Sequence, residues 1–126
     1  MDFTLDATQV RALGCLMEKE LSTPEYCPLS LNALVNACNQ KTNRQPVLAL
    51  DADTVDAALR SLKDQQLVVQ SDASRVPKFW QALGKQCHLI DREVALLCLL
   101  MLRGPQTAAE LRARGESLCA FETPEQ

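Results

Sequence analysis

Asn32, Asn36 and Asn39 fall at i, i+4 and i+7, one line along a helix, and the chain then runs through Gln40, Lys41, Thr42, Asn43 and Arg44 without an acid. Asparagine is a poor helix former because its side chain competes for backbone hydrogen bonds. Three on one line, leading into a basic polar loop, would suit a surface that hydrogen-bonds a partner. The same residue type also caps and turns its own backbone. The sequence leaves both readings open.

Other reactive side chains are sparse. The six cysteines (Cys15, Cys27, Cys38, Cys87, Cys98 and Cys119) include no Cys-x-x-Cys pair. Zinc needs four ligands at tighter spacing, so no metal is expected. The N-terminus, MDFTLDATQV, has neither the basic start nor the apolar run of a secretory signal. Val94 to Leu102 is apolar throughout but nine residues long, against roughly 20 for a membrane span. A cytoplasmic protein without membrane contact is expected, its cysteines free thiols packed as small hydrophobes.

Catalysis needs convergent groups. His88 is the single histidine, and no nucleophile elbow, zinc-protease, P-loop or dinucleotide motif occurs. Glu18 and Glu20 read as a solvated face rather than a catalytic pair. No catalytic residue and no cofactor are expected, and the chain is not read as an enzyme.

Nucleic acid is a claim only for a local patch, because the formal net charge is −3. From Lys41 to Lys85 seven basic residues face five acids, leaving +2, while the rest of the chain carries −5.

The elements that must position these groups are mostly helices, since the apolar positions are filled by Leu, Val and Ala. Asp6 with Gln9 forms a capping box for a first helix ending at Ser22, before Pro24. Val10, Leu13, Met17 and Leu21 make its stripe; Arg11, Glu18 and Lys19 should face water. Tyr26 to Leu29 can supply a brief strand. A second helix covers about Ser30 to Asn39, with Leu31, Leu34, Val35 and Cys38 inward. After a long connection, Asp51 or Asp53 caps a third helix that ends near Gln66. Leu67 to Gln70 and Arg75 to Trp80 read as a β-hairpin, Pro77 confining the second strand to an edge. Ala82 to Gln86 reads as a linker. Asp91 caps a fourth helix to about Arg103, apolar on every side. Thr107 and Glu110 box the start of a fifth, Ala108 to about Ala113, and Leu118 to Phe121 form a last apolar patch.

Helix, short strand, helix, helix, hairpin is the order of a winged helix-turn-helix. The fold expected is mainly α with a small β-hairpin wing (α+β). Residues 1–84 form the winged domain, and residues 87–126 are the first two helices of an incomplete second one.

LGCLMEKELSTPEYCPLSLNALVNACNQKTNRQPV, LRSLKDQQLV, SRVPKF and ALLCLLMLRGPQTAAELRAR resemble the YceH-like proteins, an uncharacterised bacterial family, from about Leu13 to Phe121. The resemblance implies two tandem winged helix-turn-helix domains and no established role. Members continue beyond Phe121, so here the second domain is expected to stop short.

Two functions follow. In the first the protein binds duplex DNA as a regulatory module. The third helix is the reader, with Arg60 and Ser61 on bases and Lys63 outward. Lys41, Arg44, Arg75 and Lys78 take phosphates, Asn43 lies beside them, and Asn36 and Asn39 are further base readers. In the second it docks a protein, because Asp53, Asp56 and Asp64 lie on or beside the reader face and repel phosphate. Local charge favours DNA. A continuous positive patch over the third helix and wing would support DNA, and a broken or apolar one a protein partner. A homodimer is also expected through Leu96, Leu97, Leu100 and Met101, since half a domain cannot cover every face of the fourth helix.

Overall fold

The computed structural model describes residues 4–118. In chain order the elements are α1 (Ala7–Ser22), β1 (Leu29–Ser30), α2 (Leu31–Cys38), α3 (Ala52–Asp64), β2 (Val68–Ser71), β3 (Lys78–Gln81), α4 (Leu83–Gln86), α5 (Asp91–Arg103) and α6 (Ala108–Leu118), with a 3₁₀ turn at Pro24–Tyr26. The architecture is mixed α+β, six helices and a three-stranded antiparallel sheet.

α1 starts where its capping box places it. The Gln9 and Asp6 N–H groups each donate to the other's side chain at 2.8 Å. Ala12 to Met17 contains no polar residue, and every one of these positions is buried. α1 therefore runs through the middle, with α2, α3 and α5 packed around it. This corrects the expectation that Arg11 and Glu18 face water: they are 3% and 5% exposed.

Ser30 caps α2 by accepting the Ala33 N–H, and Asp51 caps α3 by accepting the Thr54 N–H. α3 ends in a Schellman arrangement. Gln66 takes φ 64°, the Leu67 N–H reaches back to Leu62 O, and the Gln66 N–H to Lys63 O.

The strand order is β1-β3-β2. β3 is thus the central strand, not the edge that Pro77 suggested. Pro77 stands immediately before it, where no ladder hydrogen bond is lost. Leu29, Val68 and Phe79 bury one face of the sheet against the helices. Val69 pairs across with Trp80 on the other face, 53% and 38% exposed.

The stretch read as a linker forms α4. Ala82, Leu83 and Gly84 are buried, and a Cβ on Gly84 would stand 3.0 Å from Val94 Cγ2. α5 begins after Ile90, whose N–H donates to Glu93 Oε1 at 2.9 Å, so Ile90 rather than Asp91 holds the cap position. At Gly14 a Cβ would lie 3.0 Å from Leu102 Cδ2 and 3.1 Å from Met101 Cβ. The missing side chain lets α1 and α5 approach closely. Val94, Cys98 and Leu102 share one core cluster with Leu13 and Met17 of α1 and Val55 and Leu59 of α3.

Thr107 and Glu110 cap α6 reciprocally at 3.1 Å, and the helix continues to Leu118, beyond the expected end near Ala113. Cys119, Ala120 and Phe121 lie outside the described residues. Among the described residues no single helix is long and apolar enough to cross a membrane.

Candidate functional site

The polar loop after α2 is a strap tied to the core. The Arg44 side chain is fully buried, and its Nη2 donates to Glu18 Oε1 at 2.8 Å. Its Nη1 donates to Glu18 Oε2 at 3.0 Å and to Asn43 O at 2.8 Å, and its Nε to Ala37 O at 3.0 Å. Burial pulls the guanidinium pKa down, but the hydrogen bond and charge of Glu18 outweigh it and the net shift is upward. Arg11 donates from Nη1 to Cys38 O at 2.8 Å and from Nη2 to Pro46 O at 2.6 Å. Burial lowers its pKa.

Asn39 clamps the far end of the strap. Its Nδ2 donates to Leu50 O and its Oδ1 accepts the Leu50 N–H, both at 2.8 Å. Gln45 N–H donates to Leu102 O, and Arg103 Nη1 to Asn43 Oδ1, so α5 is tied in as well.

Two expected DNA contacts are therefore corrected. Arg44 is a buried cation neutralised by Glu18, with no side chain left to reach phosphate. Asn39 spends both ends of its amide on Leu50 and has no edge for a base. Asn36, Asn43 and Lys41 are exposed.

The remaining candidates lie on α3 and the β2–β3 hairpin. Val55, Ala58, Leu59 and Leu62 bury the inner face of α3. Arg60 lies outside, but its Nη2 and Nε hold Asp56 Oδ2 at 2.6 and 3.1 Å. Ser61 is half-buried and turned toward α1, where its Oγ accepts from Gln9 Nε2 at 2.6 Å. It does not stand beside Arg60 as a base reader, because Gln9 of the neighbouring helix holds it. Lys63 is exposed and donates to Gln70 Oε1 of β2 at 2.6 Å. Arg75 is exposed on the β2–β3 loop, and Lys78 is half-buried on β3 opposite Ser71 and Ser30.

The face is electrostatically broken. Asp51 and Asp53 are exposed at the start of α3, Asp56 follows one turn on, and Asp64 is exposed at its end. The hydrogen bond to Thr54 holds the Asp51 carboxyl below its ordinary pKa and keeps it ionised. Exposed apolar side chains lie nearby: Val69, Trp80 and, at 51% exposure, Val76. A groove of about 550 Å³ runs between α2, α3 and the β2–β3 hairpin, lined by Leu31, Asp56, Val76, Pro77, Lys78 and Phe79 among others.

On α5, Leu96, Leu97 and Met101 are half-buried, and Leu100 is 40% exposed. α1 takes up much of the apolar surface that had been assigned to a second copy.

The sequence reading missed Gln9, Arg11 and Glu18 as anchors of the strap and of α3. A signal for Arg11 and Glu18 was present. They stand at i and i+7 on one line of a helix whose interior is apolar, and the acid-free loop supplies Arg44.

Residues 5–126 match the family described as "Protein of unknown function, DUF480". The chain is 54% identical over 123 residues to a UPF0502 protein of Solibacter usitatus, covering 97% of this chain and 60% of that protein. It is 57% identical over 122 residues to a UPF0502 protein of Geotalea daltonii, covering 96% and 56%. A UPF0502 protein of Citrifermentans bemidjiense is 55% identical over 122 residues, at 96% and 57% coverage. The chain thus spans less than two thirds of the length of these relatives.

Proposed function

The chain belongs to the DUF480 family of uncharacterised bacterial proteins, and we propose that it is a winged helix-turn-helix module that docks a protein rather than reading DNA. The element order α1-β1-α2-α3-β2-β3 and the strand order β1-β3-β2 support the winged-helix reading. In that fold α3 is the reader, and the N-terminal residues of a reader helix meet the bases.

The observation that carries the proposal is the charge at that end. Asp51, Asp53 and Asp56 occupy the first part of α3, and the nearest base-reading candidate, Arg60, is paired with Asp56. Phosphate would meet three carboxylates before it met a cation. The wing offers instead the exposed Val69–Trp80 pair with Val76, and aromatic residues are enriched at protein interfaces. The chain works by binding and not by catalysis. On α5, Leu96 and Leu100 are the surface left for a second copy.

Arg75 and Lys78 on the wing favour DNA as the second reading. The two separate in a pull-down of the tagged protein from its own cell lysate, with and without nuclease. The same proteins co-purify in both arms, and Val69→Asp with Trp80→Ser removes them. Loss of every co-purifying protein on nuclease treatment would overturn the docking reading.

A further inference from the structure

β2 has an open edge. The Ala82 N–H donates to Leu67 O at 2.7 Å, and the register pairs Val69 with Trp80 and Ser71 with Lys78. In an antiparallel ladder, residues alternate between facing the partner strand and facing away. Leu67, Val69 and Ser71 therefore bond toward β3, while the backbone N–H and C=O of Val68 and Gln70 point to the side where no strand lies among the described residues. A groove of about 560 Å³ opens there, lined by Lys63, Val68, Gln70, Asp72 and Gln86 among others, with Asp72 at the far end of Gln70, whose Nε2 donates to Asp72 Oδ1 at 2.8 Å.

We propose that this edge takes an extended segment of a protein partner by strand addition, with apolar residues alternating with acidic ones. Resting on the docking reading above, this names the partner's chemistry. Three observations fix it. The unpaired groups of Val68 and Gln70 are the donors and acceptors that an added strand needs. On the outer face, an added strand lies beside Val69 and lengthens the exposed Val69–Trp80 pair into an apolar row. On the inner face it meets Lys63, whose ammonium donates to the neutral Gln70 amide at 2.6 Å and has no carboxylate partner among the described residues. A carboxylate from the segment supplies one.

β2 is four residues long, too short for a rigid second copy, since stable interfaces use about 20–30 residues a side. A flexible segment makes no such demand.

The test uses a fluorescein-labelled peptide of alternating valine and glutamate, a lysine-for-glutamate control, and amide exchange by NMR. The glutamate peptide slows exchange at the Val68 and Gln70 amides and binds about tenfold tighter than the lysine peptide, a gap of about 1.4 kcal/mol. Gln70→Pro removes an outward N–H without touching the β3 ladder and abolishes binding, while Gln70→Ala keeps that N–H and retains it. Absence of protection at both amides overturns strand addition. Protection that rises with protein concentration and needs no peptide also overturns it, in favour of a second copy. Neither result touches the docking reading, which stands or falls on the nuclease arms above.

Discussion

Arg44 Nη2 and Glu18 Oε1 stand 2.8 Å apart, with the arginine side chain fully buried and the glutamate side chain nearly so. This pair joins the loop after α2 to the middle of α1. Breaking a buried pair leaves an uncompensated charge, so Glu18→Ala or Arg44→Ala should each cost about 3–5 kcal/mol. Glu18→Ala combined with Arg44→Ala should cost less than the sum of the two single changes. Urea denaturation of the four proteins measures the coupling. Additive losses would show that the pair does not act as a unit.

The close approach at Gly14 gives a second expectation. Gly14→Ala places a methyl 3.0 Å from Leu102 and 3.1 Å from Met101. Overpacking of this kind costs about 1–3 kcal/mol. Leu102→Ala makes room, so on that background, itself costing about 2–5 kcal/mol, Gly14→Ala should cost less. Alanine gains about 1 kcal/mol over glycine inside a helix, so a thermal melt of Gly14→Ala clearly above that of the unchanged protein would contradict the α1–α5 packing.

The thiols should divide by burial. Cys87 is exposed, Cys27 is half-buried, and Cys15, Cys38 and Cys98 are buried. Burial pushes the Cys98 thiol up to about 12. Cys15 is raised first by its hydrogen bond with Cys38 and then by burial. Reaction requires the thiolate, so both stay protonated and silent near pH 8. Iodoacetamide labelling followed by peptide mass spectrometry should modify Cys87 first, and Cys15, Cys38 and Cys98 only in denaturant. Early labelling of Cys98 would contradict the packing of α5.

Much of the fold was legible in the residues. Capping chemistry is local, so Asp6 with Gln9, Asp51 or Asp53, and Thr107 with Glu110 marked helix starts that the structure keeps, with Asp51 taking the cap of α3. Apolar periodicity gave α2 and the inner face of α3. What was not legible depended on contacts distant in sequence. Arg44 reads as a surface cation until Glu18, 26 residues away, is seen to meet it. Ser61 reads as outward until Gln9 claims its hydroxyl. Pro77 signals an edge strand, yet β1 comes in on the far side and makes β3 central. The basic count over residues 41–85 sums charges without their positions, and Arg44, one of the seven, is buried against Glu18.

Fluorescence anisotropy of the protein against random and genomic duplexes at low and physiological salt separates protein docking from DNA reading. Binding should be weak at most, with a Kd within or above the nonspecific range of about 10⁻⁶–10⁻⁴ M at physiological salt. Arg60→Ala should leave it unchanged, and Arg75→Ala with Lys78→Ala should reduce it equally on all sequences. Sequence-selective binding well below that range, lost by about 1–3 kcal/mol in Arg60→Ala, would show α3 reading bases and would contradict the account.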